Sequence, residues 1–212
     1  MKLRQGISMT LGGSLGVMAI FGFVMLMLSV LPAKAADKGG PDFLEQIPQA
    51  STSSPWSGCW IGAGIGMMNG IVSGGGPIGL AADGHKASGH GGCRIQAGAL
   101  VGGVEASYGH MFGDLDTIGI DRELAVTGTL GVAVLSRAQL YGHVTWAQLD
   151  TPAGDIDGWK FGPGVAIQMP NSPLEIDFRY SYGVWDVGSI APGLDANSHE
   201  FMALVKYRFG AK

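Results

Sequence analysis

Leu174-Glu175-Ile176-Asp177-Phe178-Arg179-Tyr180-Ser181-Tyr182 alternates without a break: Leu, Ile, Phe, Tyr and Tyr fall on one side, Glu, Asp, Arg and Ser on the other. A period of two is the geometry of an extended strand, whose successive side chains point to opposite faces. In a soluble protein this strand would bury its apolar side and solvate its charges. In an outer-membrane barrel the apolar side meets lipid and the charges point inward, where they can pair. The rest of the chain decides between the two.

The same split recurs on both sides of this stretch. Cys59, Ile61, Ala63, Ile65 and Met67 oppose Gly58, Trp60, Gly62, Gly64 and Gly66. Leu130, Val132 and Val134 oppose Thr127, Thr129 and Gly131, and Phe201, Ala203, Val205, Tyr207 and Phe209 oppose Glu200, Met202, Leu204, Lys206 and Arg208. Eight such segments are expected, near 57–68, 87–97, 99–111, 123–135, 138–149, 157–168, 173–185 and 198–209. Each runs about 10–13 residues, near the ~9–11 that cross a bilayer on a tilt. Short turns at 97–98, 136–137 and 170–172 alternate with longer polar or glycine-rich connections at 69–86, 112–122, 150–156 and 186–197. That is the rhythm of an up-and-down barrel with short periplasmic turns and longer outer loops, and an even strand count leaves no edge unpaired in lipid. The expected fold is therefore all-β: an eight-stranded antiparallel up-and-down transmembrane β-barrel over 56–209, too narrow to be called a porin.

Composition agrees. Only 14% of the 212 residues are charged while 46% are hydrophobic, and glycine occurs 37 times without a collagen repeat. The hydrophobic content excludes a disordered chain. A net charge of −4 with no basic stripe excludes a nucleic-acid binder. At the N-terminus, Lys2 and Arg4, an apolar run from Leu15 to Leu31 and Ala33-Lys34-Ala35 form the three regions of a secretory signal. A helical signal peptide at 1–35, cleaved after Ala35, and a flexible periplasmic lead-in at 36–55 are expected. The destination is the outer membrane of a Gram-negative bacterium.

Five short motifs in order resemble the small outer-membrane β-barrel surface antigens of alphaproteobacteria. Trp56-Ser57-Gly58-Cys59-Trp60-Ile61-Gly62 is similar to that family's W-[ST]-G-x-[YF]-x-G opening, and Gly103-Val104-Glu105 to its G-V-E strand. Gly158-Trp159-Lys160-Phe161-Gly162-Pro163-Gly164-Val165 resembles its G-W-x-x-G-x-G-V segment. Leu174–Tyr182 resembles its strand ending in Y-R-Y, and Ser198-His199 through Phe209 its closing strand. The resemblance implies a porin-like surface antigen of the cell envelope. The family's arginines are replaced by Thr127 and Thr129 here, and an acid by Ala166. That leaves Glu105, Asp177, Arg179 and Lys206 as the expected interior charge network. Phe209 resembles the terminal aromatic read by the barrel-assembly machinery, although Gly210-Ala211-Lys212 follow it.

Cys59 and Cys93 are the only cysteines and share the lipid-facing parity of the first two segments. They either form a disulfide, permitted after export, or stand as two small apolar residues in lipid. Trp146, Trp159, Tyr180, Tyr182 and Trp185 toward the outer ends, and Trp56, Tyr207 and Phe209 toward the periplasmic ends, form two expected aromatic girdles. Pro163 inside a strand suggests a bulge. His85 and His90, placed in the first outer loop, are the pair a haem-binding reading would use, but no metal-ligand spacing surrounds them. Ser198 and His199 are adjacent on a strand, so they point to opposite faces and cannot act as a nucleophile–base pair. No catalytic residue, metal or cofactor is therefore assigned. The expected partners are outer-membrane lipids and lipopolysaccharide together with the assembly machinery. Outer loops that capture haem or a host ligand are the alternative function, and a soluble β-sandwich or lipocalin-like binder the alternative fold.

Overall fold

A computed structural model describes residues 55–74, 80–117, 119–152, 154–188 and 194–209. The signal peptide expected at 1–35, and all of the lead-in at 36–55 except Pro55, lie outside the described residues. Eight antiparallel strands close on themselves in sequence order: β1 Gly58–Gly74, β2 Leu80–Ala97, β3 Leu100–Gly113, β4 Arg122–Leu135, β5 Ala138–Asp150, β6 Ile156–Gln168, β7 Leu174–Asp186 and β8 Leu194–Arg208. One helical turn, α1 (Asp114–Thr117), interrupts the β3–β4 connection. No helix among the described residues is long and apolar enough to cross a membrane.

Following the cross-strand partners once around, from Trp60 through β2 to β8, returns to Gly70, ten residues farther along β1. This stagger tilts the strands and fixes the barrel radius, leaving an interior that side chains can fill. Alternation then sorts every strand. Outward stand Ile65 (71% exposed), Ile95 (74%), Val104 (66%) and Leu130 (67%), while Glu175 and Asp177 are fully buried inside. The barrel is apolar outside and charged inside, the inverse of a soluble sandwich or lipocalin-like binder.

The turns at one end are tight. Ala97 pairs with Leu100 across a two-residue hairpin in which Gly98 takes φ +63°, a conformation natural to glycine. At the other end the expected boundaries need correction. Most of the predicted loop 69–86 is strand, because β1 and β2 continue to Gly74 and from Leu80, and β8 begins at Leu194 rather than 198. Above the apolar band β1 and β2 mix small, polar and apolar residues, such as Asn69, Gly70, Ile71 and Ser73, so alternation ceases although pairing does not. Here Asn69 hydrogen-bonds Asp83 across the β1–β2 pair.

The bulge expected at Pro163 is absent. Phe161 pairs with Tyr182 and Gly164 with Arg179 in one unbroken register, and the ladder to β7 simply opens at Gly162–Pro163. Proline lacks the donor for one rung and needs no extra residue to accommodate the loss. The irregularity lies instead between Ala133 and Leu135, beside the β4–β5 turn.

Candidate functional site: the charged, sealed interior

The interior is built in layers from the end where both termini of the barrel and its short turns lie, the end expected to face the periplasm. Trp56, expected in a girdle, is instead wholly buried as a stopper, packed with Val101, Tyr141 and Ala166. It precedes β1, so strand alternation does not govern it. Arg94 holds it in place: its guanidinium lies 4.7 Å over the indole and its Nε donates to the Trp56 carbonyl at 2.8 Å. Gln168 Nε2 and Arg208 Nη1 each donate to the Pro55 carbonyl at 2.8 Å.

Above the stopper, Arg94 pairs through both terminal nitrogens with Glu175. Lys206 pairs with Asp177 and lies 4.2 Å over the Trp60 ring. Arg179 donates to both carboxylate oxygens of Glu105, at 2.9 and 3.0 Å, and to Asp177 at 3.2 Å. The Tyr141 hydroxyl donates to Asp177 at 2.5 Å. Its ring crosses the lumen over Gly164, where a Cβ would stand 2.2 Å from the Tyr141 Cζ. The four residues expected as the interior network, Glu105, Asp177, Arg179 and Lys206, are thus brought together. A void of about 20 Å³ beside them, lined in part by Trp60, Thr129 and Gln139, has room for one water.

A second layer nearer the outer end was not anticipated. Lys160 Nζ donates to Glu123 at 2.6 Å and to Glu200 at 2.9 Å; Lys86 donates to Glu123 at 3.0 Å and pairs with Glu200. These four residues come from β2, β4, β6 and β8, alternate in sign and sum to zero. The lower layer balances likewise, with Arg94, Arg179 and Lys206 against Glu105, Glu175 and Asp177. Buried charge is tolerable only when paired in this way. Parity placed Glu175 and Glu200 inward in the sequence, but Lys86 fell within a predicted loop and Glu123 and Lys160 near segment ends.

The outer mouth is closed by an apolar cluster that includes Met68, Met111, Leu115, Leu149, Ile156 and Trp185. Trp185 is therefore a second correction to the girdles. It shares parity with Glu175, Asp177 and Arg179, and its Nε1 donates to Ser198 at 2.9 Å inside the lumen. The remaining girdle residues do face outward: Trp159, Tyr207 and Phe209 are about half exposed, and Trp146, Tyr180 and Tyr182 less so. Thr127 and Thr129, standing where the resembling family has arginines, bond to Thr145 at 2.8 Å and to the Gly103 carbonyl at 3.4 Å.

Three further residues matter chemically. Both histidines of the haem-binding reading lie on β2, not in a loop, and on opposite faces: His85 is outward and His90 buried. A shared ligand between them is ruled out by strand parity. His90 instead donates from Nδ1 to Glu105 at 2.7 Å, and its Nε2 lies 2.7 Å from Ser88 Oγ. A Ser–His–Glu series at these distances resembles a hydrolytic triad. However, Glu105 is already clamped by Arg179, all three side chains are buried, and apolar and charged layers stand between Ser88 and either mouth. An activity-based fluorophosphonate is accordingly expected to leave the folded barrel unlabelled, and covalent capture at Ser88 would contradict that assignment.

On the outer face Cys59 and Cys93 are direct partners in the β1–β2 register and are joined by a disulfide. Alkylation of the unreduced, denatured chain should therefore add no label, and reduction should expose both thiols. Label before reduction would break this bond from the description.

No protein-family model matches the chain, and no curated protein matches it. Solved structures do. Neisserial surface protein A is 18% identical with a TM-score of 0.46, the match covering 72% of this chain and 98% of that one. Ail, the attachment invasion locus protein of Yersinia pestis, is 16% identical with a TM-score of 0.39, covering 71% and 99%. The monoaromatic hydrocarbon channel CymD is 11% identical with a TM-score of 0.33, covering 72% of this chain and 48% of that one.

Proposed function

We propose that this chain is an outer-membrane β-barrel that serves the cell envelope as a structural, surface-exposed protein without catalytic turnover and without an open pore. The observation that carries the reading is the inversion of the barrel: an apolar outer band around a lumen of compensated charge plugged at both ends. Apolar outward residues have no favourable surroundings in water, whereas in lipid they meet acyl chains, and closure leaves no strand of the sheet at an open edge. Export by a cleaved signal peptide, lipid and lipopolysaccharide as surroundings, and recognition of Phe209 by the assembly machinery belong to the same proposal. Presentation of the outer loops as a surface antigen goes with it.

The test is insertion into vesicles loaded with a small dye. The folded protein should show heat-modifiable gel migration and retain dye as well as empty vesicles do. Dye release at the rate of an open channel would overturn the closed lumen, and failure to insert would overturn the membrane assignment.

A further inference from the structure

Side chains do little to set the pairing of β1 with β2. Every cross-strand pair from Trp60–Gly92 to Gly66–Lys86, except Ile65–Ala87, contains a glycine. A slip by one residue would exchange the inner and outer faces, and the alternation forbids it. A slip by two keeps the faces. In one direction Gly62 would meet Gly92, Gly64 His90 and Gly66 Ser88; in the other, Gly62 would meet Ser88, Gly64 Lys86 and Gly66 Gly84. Along residues 61–66 the first slip sets no two large side chains together, and the second only Ile65 and His85. Register in glycine-rich strands of this kind is weakly specified.

The glycines of β1 cannot be exchanged for side chains that would fix the pairing. A Cβ at Gly62 would stand 2.6 Å from the Val205 carbonyl oxygen and 3.1 Å from Lys206 Cγ, and one at Gly64 would stand 2.9 Å from Leu204 Cγ. At Gly66 it would stand 2.8 Å from the Phe201 carbonyl oxygen. The inner face of β1 is bare because β8 lies over it. On the outer face of β2 a Cβ at Gly89 would meet nothing within 4 Å, so no packing there holds the two strands in step. The link that does so is covalent. Cys59 and Cys93 are directly opposed and joined on the outer face. After a slip Cys59 would face Ile95 or Gly91, and Cys93 would stand diagonally from it, farther than the roughly 4.5 Å between Cβ atoms that a disulfide spans.

The consequence reaches the whole barrel. With the other pairings kept, a two-residue slip of β1 against β2 changes the ten-residue stagger by two, and at fixed strand number the stagger sets tilt and radius. A different radius would pull apart the lumen layers, Lys86 from Glu123 and Glu200 among them. We infer that the Cys59–Cys93 bond is a register lock, made before the sheet closes, which selects this stagger from its neighbours. Once β1 has paired with β8 as well as β2, ladders on both sides hold it, so the bond can choose the register only earlier. The chain therefore meets a disulfide-bearing oxidant while its first hairpin is still free. One cysteine thiolate attacks the oxidant's disulfide and releases one of its sulfurs as a thiol, and the second cysteine displaces the other. Two electrons and two protons pass to the oxidant, which leaves as a dithiol.

The experiment folds the chain from urea into phosphatidylcholine vesicles, once with the disulfide made beforehand and once fully reduced. The oxidised chain should give a single heat-modifiable band, and the reduced chain a smaller yield of it. Two reporters read the register. In C59S/I61C the new thiol faces Gly91 in the native pairing and Cys93 after one slip; in C59S/C93S/I61C/G89C the two new thiols oppose each other after the other slip. Folded reduced and then treated with iodine, which crosses lipid, at least one reporter should form a disulfide in part of the molecules. A relocated lock, C59S/C93S/I65C/A87C, joins another directly opposed outer pair and, oxidised before folding, should restore the yield of the native chain. A reduced chain that folds as fully as the oxidised one, with neither reporter forming a bond, would overturn the inference. So would a poor yield that the relocated lock fails to restore, because the bond would then serve its own site and not the register.

Discussion

Arg179→Met lowers the unfolding free energy of the lipid-inserted barrel by roughly 3–5 kcal/mol, the range found when one member of a buried ion pair is removed. Arg179 gives Glu105 two hydrogen bonds and Asp177 a third, all three groups being buried. Without it, the two carboxylates keep hydrogen bonds from His90 and Tyr141 but share a single lysine, Lys206, which already serves Asp177 and lies 4.0 Å from Glu105 and 3.8 Å from Glu175. The loss arises from stranded charge more than from the absent bonds, so it has a signature beyond size. Combining Arg179→Met with Glu105→Gln should recover part of the stability, giving a coupling that denaturant unfolding in vesicles can measure. Two losses that simply add would show that the pair is not the unit described here.

The second large effect lies on the opposite face. Val104 is two-thirds exposed near the middle of the apolar band. An arginine there costs about 2–4 kcal/mol if that surface meets the bilayer midplane. On a water-facing strand a long charged residue at this exposure would change stability by no more than about 0.5 kcal/mol. The neighbouring Glu105 points inward and is almost wholly buried, so one step along the chain separates two environments. Val104→Arg measured by urea titration in vesicles should fall in the larger range, and a near-neutral result would place water outside β3.

Much of this was legible in the sequence because lipid imposes alternation with few exceptions. The alternation of Leu174–Tyr182 sits in an expected segment, 173–185, that matches β7 to within one residue at each end, and the three tight turns fall within a residue of where they are expected. Asp177, Arg179 and Lys206 could be assigned to the interior because their outward neighbours are apolar, and Glu105 because Gly103-Val104-Glu105 resembles the family's strand. Legibility failed where that contrast fades. Above the apolar band, β1 and β2 continue through mixed residues without alternation, so nothing in the sequence marks Lys86 as inward and the Lys86–Glu123–Lys160–Glu200 layer is hidden. Trp185 differs for another reason: its aromatic ring near a strand end fits a girdle, but alternation from Glu175 sends it inward. Trp56 lies before the first strand, where no periodicity applies, and only the folded barrel shows Arg94 drawing it into the mouth.

The central claim is that lipid surrounds the barrel and side chains fill it, and the native tryptophans report on this directly. Two variants, one keeping only Trp159 and the other only Trp185, would be folded into vesicles whose acyl chains carry bromine, a contact quencher. Trp159 is 57% exposed on the outer face and Trp185 is 6% exposed within the lumen. The account predicts strong quenching of Trp159 and little of Trp185. Equal quenching of both, or an unquenched Trp159, would contradict it.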